Sequence, residues 1–192
     1  HRSQGESAMI EVKIDKKDVE AAINVLSTTK KGAQTVVNRA INRALMRGRT
    51  VASKSLRGRY TIKASDVKKA TRLRRPGGTE TSGQLVFSGP ELTMAHFRIR
   101  PSGRDTTGNN RQLVRVEVER TGLKPLKNAF VYNGTVFQRK GASRLPIEPR
   151  YGPSVPQMVG NENITEDIQS EMRDTFLRRI DHEAMRLIKG DK

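Results

Sequence analysis

The sequence predicts an α+β fold: an antiparallel β meander packed against one long basic amphipathic helix and a long C-terminal helix. Three observations predict it. Val37, Ile41, Ala44, Leu45, Gly48, Val51, Ala52 and Leu56 recur at three- and four-residue spacing, a helical stripe from about 33 to 58. Ile164, Ile168, Met172, Phe176, Ile180, Ala184 and Leu187 form a second ladder, over about 163–188. Between the two lie segments that alternate apolar and polar, the period of a strand.

Each element follows in order. The opening "HRSQGESAM" reads as an expression-tag remnant (residues 1–8) before a native start at Met9; residues 9–192 then make a single domain. "MIEVKID" alternates and predicts a strand. Asp18 is placed to cap a short helix with Val19, Ala22, Ile23 and Leu26 on one face. The long helix carries Arg39, Arg43, Arg47, Arg49, Lys54 and Arg57 opposite its stripe, and Gly48 within the stripe predicts a close contact. Ser65 is placed to cap a further short helix from Asp66. "QLVFS", "AHFRIR" and "QLVRVEVER" predict strands, the last with Val114, Val116 and Val118 on one face and Arg115, Glu117 and Glu119 on the other. The polar "RPSGRDTTGNN" between two of them reads as a loop. "AFVYNGTVFQRK" predicts a hairpin turning at Asn133-Gly134, since both residues tolerate positive φ. Asn161 or Asn163 is placed to cap the last helix.

The charge is polarised. The chain of 192 residues has a formal charge of +17. Residues 30–75 hold 15 basic residues against one acid, Asp66, whereas residues 161–192 hold 6 basic against 8 acidic. The basic element predicts a polyanion, an acidic protein surface or another copy of the chain as partner, with a merely solvated face as the plain alternative.

Parts for catalysis are scarce. With no cysteine, thiolate chemistry and disulfides are absent. "HEAMR" at 182–186 opens like a zinc-protease helix, but Arg186 stands where a second ligand belongs. "GPSVP" lacks the second glycine of a nucleophile elbow. Glu117 and Glu119 read as solvated ion pairs, and His96 as a surface or half-buried strand residue rather than a ligand. Three dispersed tyrosines, Tyr60, Tyr132 and Tyr151, make no stacking platform. The expectation is a protein that is not an enzyme and holds no cofactor or metal, and no apolar run is long enough for a membrane.

One stretch fits neither helix nor strand: "SRLPIEPRYGPSVPQM", residues 143–158, with four prolines. Together with "RAINRALMRGRTVASKSLRGRYTIKASDVKKATRLRR" and the closing helix, it resembles the minor tail protein Z family of tailed bacteriophages and prophages, over roughly residues 9–188. The most specific part is Arg144-Leu145-Pro146-Ile147, then Tyr151-Gly152-Pro153-Ser154-Val155-Pro156, then Met158.

The resemblance implies a structural protein of the virion tail, assembled in the host cytoplasm. It would act in tail completion at the head-proximal end of the tube and in DNA passage, as a subunit of a ring. Its partners would be other tail proteins (tube or terminator), further copies of itself and non-specific DNA in the lumen. The alternatives are a non-specific DNA-binding protein using residues 30–75 and a head–tail connector subunit. Within this frame residues 141–160 read as a docking arm pre-stiffened by proline, anchored by Arg144, Leu145, Pro146, Ile147, Tyr151, Pro153, Val155, Pro156 and Met158. The competing reading is an intramolecular loop closing the sheet against the last helix. Contacts to DNA or an acidic partner fall to Arg39, Arg43, Arg47, Lys54, Arg57, Lys68, Lys69, Arg72, Arg74 and Arg75, with Lys63 beside them. An acidic C-terminal region on the next subunit is the favoured counterpart.

Overall fold

The structure is a computed structural model that describes residues 8–27, 32–77, 81–101, 113–132, 134–141, 143 and 145–189. In chain order the elements are β1 (Ala8–Lys13), α1 (Lys16–Ser27), α2 (Ala33–Arg59), α3 (Ala64–Ala70), β2 (Thr71–Arg74) and β3 (Gln84–Gly89). A short 3-10 turn (Met94–His96) leads to β4 (Arg98–Arg100), β5 (Arg115–Glu117) and β6 (Lys124–Pro125). Then come β7 (Ala129–Tyr132), β8 (Thr135–Arg139), β9 (Ile147–Pro149), α4 (Val155–Val159) and α5 (Glu162–Lys189). The chain gathers into two compact units. One takes Leu56–Ala70 and Ser88–Met158; the other takes Met9–Ser55, Thr71–Phe87 and Val159–Lys192.

The second unit is built on the two long helices. Val37, Ala40, Ile41, Ala44, Leu45 and Ala52 of α2 are fully buried, while Arg39, Arg43, Arg47 and Lys54 are exposed. Val51, at the edge of the stripe, is half-buried. Ile164, Ile168, Met172, Phe176 and Ile180 bury the inner side of α5. The next residue on that side is Glu183, not Ala184. Each four-residue step overshoots a full turn by about 40°, so a ladder of fours drifts round the helix and a three-residue step brings it back. The buried carboxylate of Glu183 sits 2.7 Å from Arg179 and 3.8 Å from Arg186. The side chain of Leu187 lies outside the described residues.

A three-stranded sheet in the order β1-β3-β2 completes this unit, with β2 antiparallel to β3. Gly48 is where α2 meets both partners. A Cβ there would stand 2.5 Å from Met172 of α5 and 2.7 Å from Leu85 of β3. Arg47 donates to Glu171 at 2.8 Å, Ser55 to Asp167 at 2.9 Å and Arg173 to Asp18 at 2.7 Å. The hydrogen bond from Arg47 holds the Glu171 carboxyl below its ordinary value. Its contribution to stability is therefore complete above the ordinary carboxylate range and is lost as pH falls through the lowered value. Urea midpoints measured from neutral pH into the acid range should converge for the native chain and Arg47→Gln.

The first unit holds two further three-stranded sheets, in the orders β4-β5-β6 and β7-β8-β9. The α+β class holds, but the strands do not form one meander. "QLVFS" joins β1 and β2, and "AHFRIR" begins as the 3-10 turn, in which the Phe97 N–H donates to the Met94 carbonyl before β4 starts at Arg98. The β7-β8 pairing is as expected: Tyr132 faces Thr135, and Gly134 has φ 73°, while Asn133 lies outside the described residues.

Several local readings are corrected. Asp15, not Asp18, caps α1, accepting from the Lys17 N–H at 2.9 Å, which leaves Asp18 for Arg173. The helix at Asp66 begins at Ala64, so Ser65 lies inside it, and the buried Asp66 carboxylate meets His96 Nδ1 at 3.0 Å. His96 is in a turn, not a strand. Asn161 stands immediately before α5 and its carbonyl accepts from Thr165, but its side-chain oxygen is buried with no hydrogen-bond partner and caps nothing. Glu117 is not solvated. It is 8% exposed, with one oxygen on Arg98 at 3.1 Å and the other on the Gly122 N–H at 3.1 Å. Glu119 is a surface partner of Arg59 at 3.9 Å.

Candidate assembly surface

The proline-rich stretch has regular structure after all, and it divides in two. Ile147–Pro149 forms the edge strand β9, with Arg139 opposite Ile147 and Phe137 opposite Pro149. An edge tolerates prolines because one side of its ladder needs no donor. Beyond Gly152 the chain turns inward. A Cβ at Gly152 would lie 2.6 Å from the Phe97 ring, so only glycine passes there. Ser154 then opens α4 with a reciprocal cap: its N–H donates to Gln157 Oε1 at 2.8 Å, and its Oγ accepts from the Gln157 N–H at 3.3 Å. That S-x-x-Q box was readable in the sequence and was missed. Pro156 sits in the first turn, where an N–H has no intrahelical acceptor.

The nine residues assigned to the arm therefore separate. Val155 and Met158 are buried at 2% and 1%, and Pro156 is buried with them, so these three belong to the fold's interior. Leu145, Ile147 and Tyr151 are 67%, 38% and 42% exposed. Pro146 is exposed and Pro153 half-buried. Arg144 lies outside the described residues.

The β7-β8-β9 register adds residues that the sequence reading passed over. Val131 and Val136 face inward. The opposite face carries Phe130, Phe137, Tyr132, Arg139 and Ile147. Phe130 and Phe137 stack at 5.9 Å, Arg139 lies 5.1 Å over Phe130, and Tyr132 is 50% exposed. The alternation of "AFVYNGTVFQR" held the signal, since Phe130, Tyr132 and Phe137 fall on one side and Val131 and Val136 on the other. Aromatic residues and arginine on an open face are the composition of the buried centre of protein–protein interfaces.

A cleft of about 410 Å³ opens in the same unit, lined by Tyr60, Met94, Val116, Leu126 and Pro153 among others, with Glu119 and Lys124 at its wall. Burial pushes the Tyr60 phenol up. The titratable groups of this lining are Tyr60, Glu119 and Lys124. His182 is exposed on α5, away from any second ligand on its own helix. Among the described residues, no three His, Asp or Glu side chains gather as a metal site, and no helix is long and apolar enough to cross a membrane.

The cations fall in both units. In the helical unit Arg39, Arg43, Lys54, Arg72 and Arg75 are exposed with no ion pair among the described residues, whereas Arg47 is held by Glu171 and Arg74 lies 3.7 Å from Glu11. In the strand unit Arg57, Lys63, Lys68 and Lys69 are exposed and likewise unpaired among the described residues. Glu171, Asp167 and Glu183 already serve their own chain. The acidic end therefore offers a neighbouring copy less charge than its composition suggests.

A family model described as prophage minor tail protein Z (GPZ) matches residues 16–189. The chain belongs to the prophage minor tail protein Z family. It is thus a structural protein of a phage tail. No curated protein and no solved structure matches the chain. The minor tail protein Z match spans α1 to the end of α5 and takes in both the aromatic sheet face and the edge strand β9.

Proposed function

We propose that this tail protein completes the tail at its head-proximal end as a ring subunit, and that it grips its neighbour through the outer face of the β7-β8-β9 sheet. The observation that carries the reading is the set of open apolar side chains at this edge: Ile147 of β9 shares its face with Tyr132 and the Phe130–Phe137 stack, and Leu145 and Tyr151, both exposed, flank the strand in sequence. Proline before and after Ile147 restricts the chain ahead of docking, so little ordering entropy opposes association. The arm is thereby reduced to its exposed half, residues 145–151, and residues 152–158 anchor it.

The Leu145→Ser, Tyr151→Ser double variant tests this. It should keep the native circular dichroism spectrum and a thermal midpoint within a few degrees, because both side chains are exposed. Incorporation into tails, scored by particle images, should fall at least tenfold. A variant that unfolds makes these residues part of the intramolecular core, and one that assembles normally places the grip elsewhere.

Non-specific DNA binding is the second reading, favoured by the unpaired cations of both units. Contacts of that kind reach phosphate and read no sequence. Changing Arg72, Arg74 and Arg75 to Gln should flatten the salt dependence of duplex binding by up to about 0.9 per lost phosphate contact. Lost assembly with unchanged duplex binding would instead assign those charges to a protein interface.

A further inference from the structure

The register of β4 and β5 sets two arginines against each other. Arg100 lies directly opposite Arg115, so their side chains leave the same face of the sheet. Both are exposed, and neither has an ion pair among the described residues. Like charges in directly opposed positions of an antiparallel pair repel and cost stability. Among the described residues of the two strands the one acid on that face, Glu117, gives no relief. It stands opposite Arg98, and its two oxygens are engaged by Arg98 and by the Gly122 N–H. Pro125, on the other side of Arg115, brings no counter-charge.

The setting amplifies the charge. Leu56–Ala70 with Ser88–Met158 holds 17 basic against 6 acidic residues, a net +11; Met9–Ser55, Thr71–Phe87 and Val159–Lys192 hold 19 against 13, a net +6. The larger excess thus lies in the unit rich in strands rather than in the one that contains most of the basic helix. Arginine, not lysine, occupies both opposed positions. Two planar guanidiniums whose Cβ atoms start about 5 Å apart match the oxygens of a tetrahedral oxyanion, each by a two-point contact.

The geometry points to Arg100 and Arg115 as a phosphate clamp on the β4-β5 face that holds the backbone of duplex DNA without reading its bases. This deepens the non-specific DNA-binding reading given above and rests on it for the identity of the partner. The clamp is distinct from α2 and β2, and strand pairing holds the backbone positions of its two arginines in register. Arg98, tied to Glu117, aligns the strand but stays outside the clamp.

The test uses the full chain, a labelled mixed-sequence duplex and polyglutamate as the competing polyanion. Arg100→Gln with Arg115→Gln should weaken duplex binding about tenfold at low salt. It should also flatten the plot of log affinity against log salt by about 0.9 for one phosphate, or twice that if each arginine holds its own. Arg→Lys at both sites should keep most of the salt slope and lose part of the affinity. The Gln variant should melt no lower than the native chain, because a repulsive pair has been removed; this separates lost binding from lost folding. Tail incorporation of the Gln variant should be unchanged, which keeps this result apart from any failure of the assembly face. Unaltered duplex affinity in the Gln variant overturns the clamp. So does a native chain that fails to bind duplex, or one that binds polyglutamate as tightly as DNA.

Discussion

Phe176→Ala is expected to remove about 3–5 kcal/mol of stability, as measured by urea unfolding of the full chain. The ring is fully buried midway along the inner ladder of α5, with Met172 and Ile180 one turn to either side, themselves buried. Losing it subtracts the transfer energy of a whole aromatic side chain and leaves a cavity that neighbours held on a rigid helix cannot close. Against a typical total of about 5–15 kcal/mol, that loss leaves the helical unit marginal. The adjoining Leu177 is 37% exposed and serves as the comparison. Its change to alanine should cost well under half as much, and equal losses at the two positions would refute the assignment of the buried face.

The second large effect is an inverted one. A glycine inside a helix ordinarily costs about 0.5–1 kcal/mol relative to alanine. At Gly58 of α2 nothing lies within 4 Å of an added Cβ, so Gly58→Ala should stabilise by about that amount. At Gly48 of the same helix the added atom would overlap the side chains of Met172 and Leu85, both fully buried, so that they would have to shift. Gly48→Val, with two further methyls, should destabilise by about 3 kcal/mol, the upper end of overpacking. Met172→Ala in the same chain should return part of that loss, giving a coupling energy between the sites. Additive losses would mean that α2 and α5 do not meet at Gly48.

The helices were legible because each has one apolar stripe long enough to outvote its neighbours, and Gly48 announced a close approach by interrupting a stripe of larger residues. What escaped was set by pairing across the chain. Nothing in "QLVFS" says that it lies between two strands that both precede it in sequence, β1 and β2, rather than joining the later β segments. The ladder partner of β9 is likewise invisible locally, so a proline-rich stretch looked shapeless. The candidate site was half legible: Leu145, Ile147 and Tyr151 stood out as apolar residues in a loop, whereas Val155 and Met158 looked alike on paper and proved to be core. Alternation also misjudged Glu117, whose burial depends on Arg98 and on the turn at Gly122. The arginine pair of β4 and β5 emerges only from register, which no single strand contains.

Arg47 and Glu171 are 124 residues apart, and Gly48 waits for Met172 over a similar span. At a ribosomal pace of roughly 5–20 residues per second, α2 leaves the exit tunnel some 6–25 s before α5 is made to cover it. Throughout that interval a greasy strip, Val37 to Ala52, hangs on the nascent chain beside a dense positive flank. That makes it a target for a holdase, and also for ribosomal RNA. Clones truncated before α5 should therefore go to inclusion bodies however well the remaining strands fold, and supplying α5 in trans as a peptide is the natural rescue.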